Sequence, residues 1–373
     1  MHWILVFLIS MAIVALLMPM FIRLMEKYKF LDEAGGRKIH EGYTAHMGGI
    51  VIFLGFVLAF GFSFFSIKYL VSGFEVSSFF ILLAFITILG IRDDMNSLSP
   101  QTKLIFEVIV GLCLCGLGVR ITGFGGFLGI HTLPVWISYL LTIFFFIVVS
   151  NAFNLIDGID GQAGLQAVAV FGFVCLFLWW MLPSSIYDKL VGLQNPYLWL
   201  MITASILGAV AGFLFYNWQK ARIFMGDTGS LFVGFLIGII IIVCMNLNNK
   251  YPGRIFGCEM KSRLGVILTF FFLPLADTLR VFIQRIKKGK SPFFPDKTHI
   301  HHILLRVWGF NHAQCAVTTF AIQVFVSSLF LFLSLFFNDN ILAILIFVVW
   351  LLYVFLLRFL AERKMKHNKV INS

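Results

Sequence analysis

Four segments hold most of the side chains with which this sequence could do chemistry. The first is Gly90-Ile91-Arg92-Asp93-Asp94, with Lys103 following shortly after. Two adjacent carboxylates can hold a metal ion, or one of them can act as a base. The second runs from Asn151 to Gly161, where Asn151, Asn154, Asp157 and Asp160 recur every three residues. On a helix or helical turn these positions share one face, so four polar side chains form a strip. Capping a helix needs one Asx residue, not four. The strip carries no Lys or Arg, which suits a cation, and Gly158 and Gly161 let the backbone approach a ligand closely. The third is Phe224-Met225-Gly226-Asp227-Thr228-Gly229-Ser230, directly before an apolar run and preceded by Asn217, Lys220 and Arg222. Asp, Thr and Ser in that position predict a helix N-terminus, where backbone N–H groups favour anions. The fourth is Ser291 to His302, which places His299, His301 and His302 close together. No cysteine and no His-Glu-x-x-His spacing accompanies them, so they read as donors to sugar hydroxyls or phosphate rather than as zinc ligands. Arg37, Lys38 and His40, ahead of Gly48-Gly49, add cations that could hold phosphates or mark the inner face of a membrane.

These groups share one logic. Carboxylates and amides without soft ligands predict a hard, oxygen-ligated cation: Mg2+, with Mn2+ able to substitute. Arginine, lysine and histidine around them predict an anionic substrate. Together they are the equipment of phosphoryl transfer, which rests on positioning and charge neutralisation.

The elements that must position these residues are membrane helices. Hydrophobic residues make up 60% of the 373, and charged residues only 12%. A soluble domain carries about 25% charged residues, so lipid is the solvent for most of this chain. The expected fold is all-α, a polytopic bundle of about eleven spans: 3–22, 46–66, 77–91, 104–122, 134–151, 162–182, 198–215, 229–247, 263–283, 315–337 and 340–358. Residues 1–360 then form a single transmembrane catalytic domain with active-site loops at 23–45, 92–103, 151–161, 216–228 and 284–314, and 361–373 form a basic tail. The first run lacks a basic leader and a small-residue cleavage site, so it reads as a retained span. Of the 28 Lys and Arg residues, 21 fall in the odd-numbered loops and the C-terminal tail. That bias places those loops and the C-terminus in the cytoplasm and the N-terminus outside. The net charge of +11 therefore reports orientation and not nucleic-acid binding. Asp93, Asp94, Asp157, Asp160, Asp227, Asp277 and Asp296 all fall on the side of the odd loops. Carboxylates at membrane depth are costly, and gathering them on one side implies one site built from several loops. Five of the six cysteines lie in or beside apolar stretches and read as packing residues. A transporter would bury charge near mid-membrane, but Glu107 is the main charge inside a span, and no internal repeat is visible.

In this order and in alternate loops, Asp93-Asp94, the Asn-x-x-Asn-x-x-Asp-Gly-x-Asp-Gly run, Met-Gly-Asp-Thr-Gly-Ser and His-x-His-His resemble the polyprenyl-phosphate N-acetylhexosamine-1-phosphate transferase family. The resemblance spans roughly residues 37 to 310. It implies transfer of a HexNAc-1-phosphate, GlcNAc-1-phosphate above all, from a UDP-sugar to undecaprenyl phosphate with release of UMP, at the cytoplasmic face of a bacterial inner membrane. It implies Asp227 as the principal Mg2+ ligand with Asn154 beside it, and Asp93 binding or deprotonating the lipid phosphate with support from Asp94. Asp157 and Asp160 would line the nucleotide end, Asn217 and Phe224 the uracil, and His299, His301 and His302 the sugar-phosphate. Lys103, Asn151, Arg37, Lys38 and His40 complete the expected substrate contacts, and a homodimer is compatible with the sequence. The His-x-His-His form is similar to the branch that starts O-antigen, common-antigen and teichoic-acid synthesis. Family members usually carry a proline near Ala45. Here the stretch reads Tyr43-Thr44-Ala45-His46-Met47, which implies a less rigid first loop.

Overall fold

The computed structural model describes residues 2–32, 44–67, 73–181, 193, 195–248, 254–255, 258–291 and 298–371. On these residues the chain is an array of α-helices: α1 (His2–Lys27), α2 (Gly48–Ile67), α3 (Gly73–Met95), α4 (Pro100–Gly116), α5 (Val135–Ile156), α6 (Gln162–Met181), α7 (Pro196–Asn217), α8 (Gly226–Asn248), α9 (Leu264–Thr269), α10 (Phe272–Lys287), α11 (Ile300–Trp308), α12 (His312–Leu333) and α13 (Asp339–Ile371). The described strands form two antiparallel pairs of two residues each: β1 (Leu31–Asp32) with β2 (Thr44–Ala45), and β3 (Arg254–Ile255) with β4 (Cys258–Glu259). Among the described residues eight helices are long and apolar enough to cross a membrane. The protein is a polytopic helical membrane protein.

Burial sorts the helices into centre and rim. The apolar stretch of α8 is 94% buried and that of α7 78%, whereas that of α13 is 6% buried. A helix that is apolar all round belongs inside a bundle, and α8 is that helix here. Leu16, Met20, Trp136, Leu140, Phe144 and Phe355 point outwards from α1, α5 and α13. Such a belt is unfavourable in water and ordinary in lipid.

Two expectations about the spans are corrected. The span expected at 134–151 continues as α5 to Ile156, so Asn151 and Asn154 are helical rather than in a loop. The single span expected at 263–283 is two helices, α9 and α10, broken at Phe270-Phe271. Pro274, in the first turn of α10, has no N–H to give to the carbonyl of Phe270. In an apolar setting that break must be satisfied by side chains. Gln323 of α12 does so, donating to the carbonyls of Thr269 (2.8 Å) and Phe270 (3.1 Å) and accepting from the N–H of Leu273 at 2.9 Å. Ser327 donates to the Thr269 carbonyl at 2.9 Å.

Gln323→Leu keeps the volume but leaves three backbone groups without this partner. An unsatisfied buried group costs about 1–3 kcal/mol. The substitution is expected to lower the Tm of the detergent-solubilised protein clearly, read by circular dichroism. An unchanged Tm would show that the break is satisfied otherwise.

Candidate active site

The site is built where the end of α3 meets the start of α8. Both oxygens of Asp94 accept bonds from the first turn of α8: Oδ1 from the N–H of Asp227 (2.8 Å), Oδ2 from the N–H (3.0 Å) and the hydroxyl (2.6 Å) of Thr228. Asp94 thus serves as the cap of a helix in another part of the chain. The approach needs small residues on both sides. Gly226 has φ +73°, and a Cβ there would lie 2.6 Å from Asp94 Oδ2. A Cβ on Gly90 would strike Thr228 Cα and lie 2.7 Å from the carbonyl oxygen of Asp227.

Asp93 turns the other way and is buried. Its Oδ1 accepts the N–H of Leu98 at 2.7 Å, fixing the short link to α4. That link ends in Ser99, whose hydroxyl accepts the N–H of Thr102, and Pro100 begins the helix. One turn on, Lys103 pairs with Asp93 Oδ2 and lies 3.4 Å from Asp227 Oδ2. Lys103 thus stands between the Asp93 and Asp227 carboxylates.

The expected polar strip divides between two partners. Asn154 donates to Asp227 Oδ1 (2.5 Å) and to the Ser230 hydroxyl (3.0 Å). Asn151 donates to both oxygens of the buried Glu107, at 3.2 and 3.1 Å, and to the Ile147 carbonyl. Asp157 and Asp160 follow in the turn after α5. Asp160 is buried and accepts the N–H of Ala221 at 3.3 Å. Asn217 ties the same turn to the approach to α8, accepting from Gly161 N–H and donating to the Ile223 carbonyl, both at 2.9 Å. The Ala45 segment, without its proline, is held to that approach by backbone bonds: Phe224 N–H to Ala45, Gly48 N–H to Phe224 and Gly49 N–H to Met225.

The groups converge on one open cleft of about 180 Å3, lined among others by Asp94, Asn154, Asp157, Asp160, Phe224 and Asp227. His46 and His312 also line it, although no spacing in the sequence singles them out. The His46 ring lies 5.6 Å from that of Phe224. His312 opens α12, and its Nδ1 is 3.4 Å from Asp160 Oδ2. His299 and His301 are buried beside the cleft, their rings parallel to within 3° and 6.0 Å apart. His301 Nε2 would be 3.1 Å from a Cβ on Gly158. Burial, then the nearby rings of His302 and His299, push the His301 imidazole down to about 3, so it is neutral at pH 7. The ring of His302 sits 4.2 Å from that of His301. Arg37, Lys38, His40 and the stretch from Pro292 to Lys297, with Asp296, lie outside the described residues.

Among the described residues no group of three or more His, Cys, Asp or Glu is arranged as a metal cage. The Asn154 amide turns its nitrogen to Asp227 in this structure, and turned over it would offer an oxygen beside that carboxylate, which fits a cation taking one or two carboxylates from protein and the rest from phosphates and water.

A bundle of membrane-length helices with one carboxylate-rich cleft between their ends defines an integral-membrane enzyme. The chain belongs to glycosyl transferase family 4, whose model matches residues 76–245. It is similar to the decaprenyl-phosphate N-acetylglucosaminephosphotransferase of Mycobacterium leprae, 32% identical over 290 residues, covering 74% of this chain and 70% of that protein. The probable undecaprenyl-phosphate N-acetylglucosaminyl 1-phosphate transferase of Bacillus subtilis is 29% identical over 320 residues, covering 85% and 80%. The undecaprenyl-phosphate alpha-N-acetylglucosaminyl 1-phosphate transferase of Escherichia coli K12 is 27% identical over 297 residues, covering 78% and 73%.

Gly90→Ala tests the α3–α8 joint. The added methyl meets backbone, which cannot swing aside. Overpacking of this kind costs about 1–3 kcal/mol. The expected outcome is a lower Tm together with a drop in activity; a variant with wild-type values of both would show the joint to be loose.

Proposed function

We propose that this protein transfers GlcNAc-1-phosphate from UDP-GlcNAc to a polyprenyl phosphate, undecaprenyl phosphate in the first instance, releasing UMP with Mg2+ as cofactor. The reaction is the first step of a cell-envelope polysaccharide such as an O-antigen. The bias of Lys and Arg among the loops supports a cytoplasmic-face site in the inner membrane. The printed activities of the relatives above support the donor sugar and the lipid acceptor.

One observation carries the reading: Asp93 and Asp227 are brought together from different helices with Lys103 between them, and Asp227 lines a cleft together with Asp94, Asp157 and Asp160. A cleft so rich in carboxylates repels a pyrophosphate unless a cation intervenes. Asp227 and Asn154 are the residues that would hold Mg2+, which supplies charge neutralisation of the phosphates in the transition state. Lys103 balances one of the two opposed carboxylates and keeps both in place. Asp93, at the membrane end of α3, accepts the proton of the lipid phosphate monoanion, whose second pKa is about 6. Phe224 and His46 offer ring faces to the uracil. Asn217, occupied at both ends, shapes the wall behind them. His301 and His299 flank the sugar-phosphate.

Asp227→Asn is nearly isosteric but removes the charged ligand. Loss of such a charge-neutralising contact typically costs about 10² to 10³ in kcat. The variant is expected to elute and melt like the wild type while releasing UMP at under about a hundredth of its rate. More than about a tenth of wild-type turnover at saturating Mg2+ would rule out a ligand role.

EDTA is expected to abolish UMP release, and Mg2+ or Mn2+ to restore it, whereas Zn2+ does not, because the site is all oxygen. Recovery with Zn2+ alone would move the metal to the histidines.

A further inference from the structure

Asp277 is the most thoroughly engaged carboxylate among the described residues, and the reaction outlined above leaves it without a role. It lies on α10, one turn past the break that Gln323 satisfies, and its side chain is 1% exposed. Its Oδ1 accepts from Arg280 Nε (3.1 Å) and Nη2 (2.6 Å) and from the Tyr353 hydroxyl of α13 (3.0 Å). Its Oδ2 accepts from His299 Nδ1 (2.9 Å) and from the backbone N–H of Ile300 (3.1 Å).

We propose that Asp277 is the positioning residue of the His-x-His-His segment, fixing the tautomer and orientation of His299 and the first turn of α11 together. The inference rests on the transferase reading above. Three features carry it. First, Arg280 holds Asp277 as a carboxylate, and a carboxylate only accepts hydrogen bonds. The imidazole nitrogen facing it must therefore carry the hydrogen, which leaves Nε2 of His299 as the atom that meets a ligand. That Nε2 is buried and has no hydrogen-bond partner in the structure. Second, His299 stands at the N-cap of α11 without a side-chain cap bond of its own, and Asp277 takes the N–H of Ile300 instead. The same carboxylate thus aims the helix that carries His301 onto Gly158 of the cleft. Third, the ion pair with Arg280, which also donates to the Thr298 carbonyl at 2.6 Å, makes the support internally neutral. Orientation is gained without adding net negative charge beside an anionic substrate.

A purely structural cap would affect folding whatever stands at position 299. Positioning through His299 has a different signature. Purified protein in detergent is assayed for UMP release from UDP-GlcNAc with undecaprenyl phosphate. Asp277→Asn is expected to lower kcat about 10- to 100-fold, with KM for the UDP-sugar within about 2-fold. In a His299→Gln background the same change is expected to cost less than about 2-fold, because its route of action is already gone. An equal loss in both backgrounds, or no loss in the wild-type background, overturns the proposal. Should Asp277→Asn not fold, 15N NMR of histidine-labelled wild-type protein decides, with the His299 signal assigned by its loss in His299→Gln. A protonated Nδ1 is the expected result, and an unprotonated Nδ1 overturns the proposal. If the wild type itself releases no UMP, the transferase reading fails, and the NMR result still judges Asp277 separately.

Discussion

The N-terminus of α8 is packed against the end of α3, and the site follows from how that helix end is satisfied. The first turn of any α-helix leaves backbone N–H groups without intrahelical partners. In a low-dielectric interior each unmet group is expensive. Asp94 takes two of them and the Thr228 hydroxyl as well. Because Asp94 belongs to α3, this cap is also a tertiary clamp. Once α3 is fixed to α8 at that point, the preceding residue is fixed too. Successive helical residues project about 100° apart. Asp93 therefore cannot share the cap and is turned towards Lys103 and Asp227. The adjacent carboxylates divide two tasks: one holds the architecture and the other is presented to chemistry.

The device recurs. Asp277 of α10 takes the first N–H of α11. Asp339, opening α13, accepts from the Ser262 hydroxyl and from the N–H groups of Arg263 and Gly265, which lead into α9. Lipid supplies no hydrophobic drive to hold helices against one another, so packing of small residues and polar bonds must set their positions. A carboxylate reaching from one helix to the backbone of another is strong and directional, and it places a loop without consuming any of the loop's own side chains. Asp227 and Asn154, beside that joint, line the cleft.

Most of this was legible in the sequence where the signal is local. Apolar length marked the helices, and three-residue spacing marked the strip from Asn151 to Asp160. What was not legible is partner choice. Asn151 and Asn154 are equivalent by spacing, yet α4 brings Glu107 to one and α8 brings Asp227 to the other. Pro274 is visible within the ninth span, but a proline can kink or break a helix, and the break is satisfied here by Gln323 and Ser327, some fifty residues on. Polar residues usually end a span, so the sequence places 151–161 in a loop, whereas Asn151 and Asn154 lie in α5 and face other helices. His46 and His312 belong to no motif, since each reaches the cleft from the edge of an element, and only assembly of the bundle brings them to Phe224 and Asp160.

The electrostatics of the cleft set the order of events in the proposed reaction. Five aspartates, at 93, 94, 157, 160 and 227, surround or border it, and Lys103 is the cation placed directly among them. His301, the histidine packed on Gly158, is neutral at pH 7. Bare of metal, such a site repels nucleotide and lipid phosphate alike. A divalent cation reverses that, because the same carboxylates that repel phosphate attract the ion. In the proposed reaction substrate affinity would then be conditional on the cation, and a site offering two protein ligands would leave coordination positions for the phosphates themselves. A complete protein cage would bind the ion more tightly and hide it from the substrate. In the proposed reaction an ion held by Asp227 and Asn154 would therefore keep positions open to neutralise charge where the bond is exchanged.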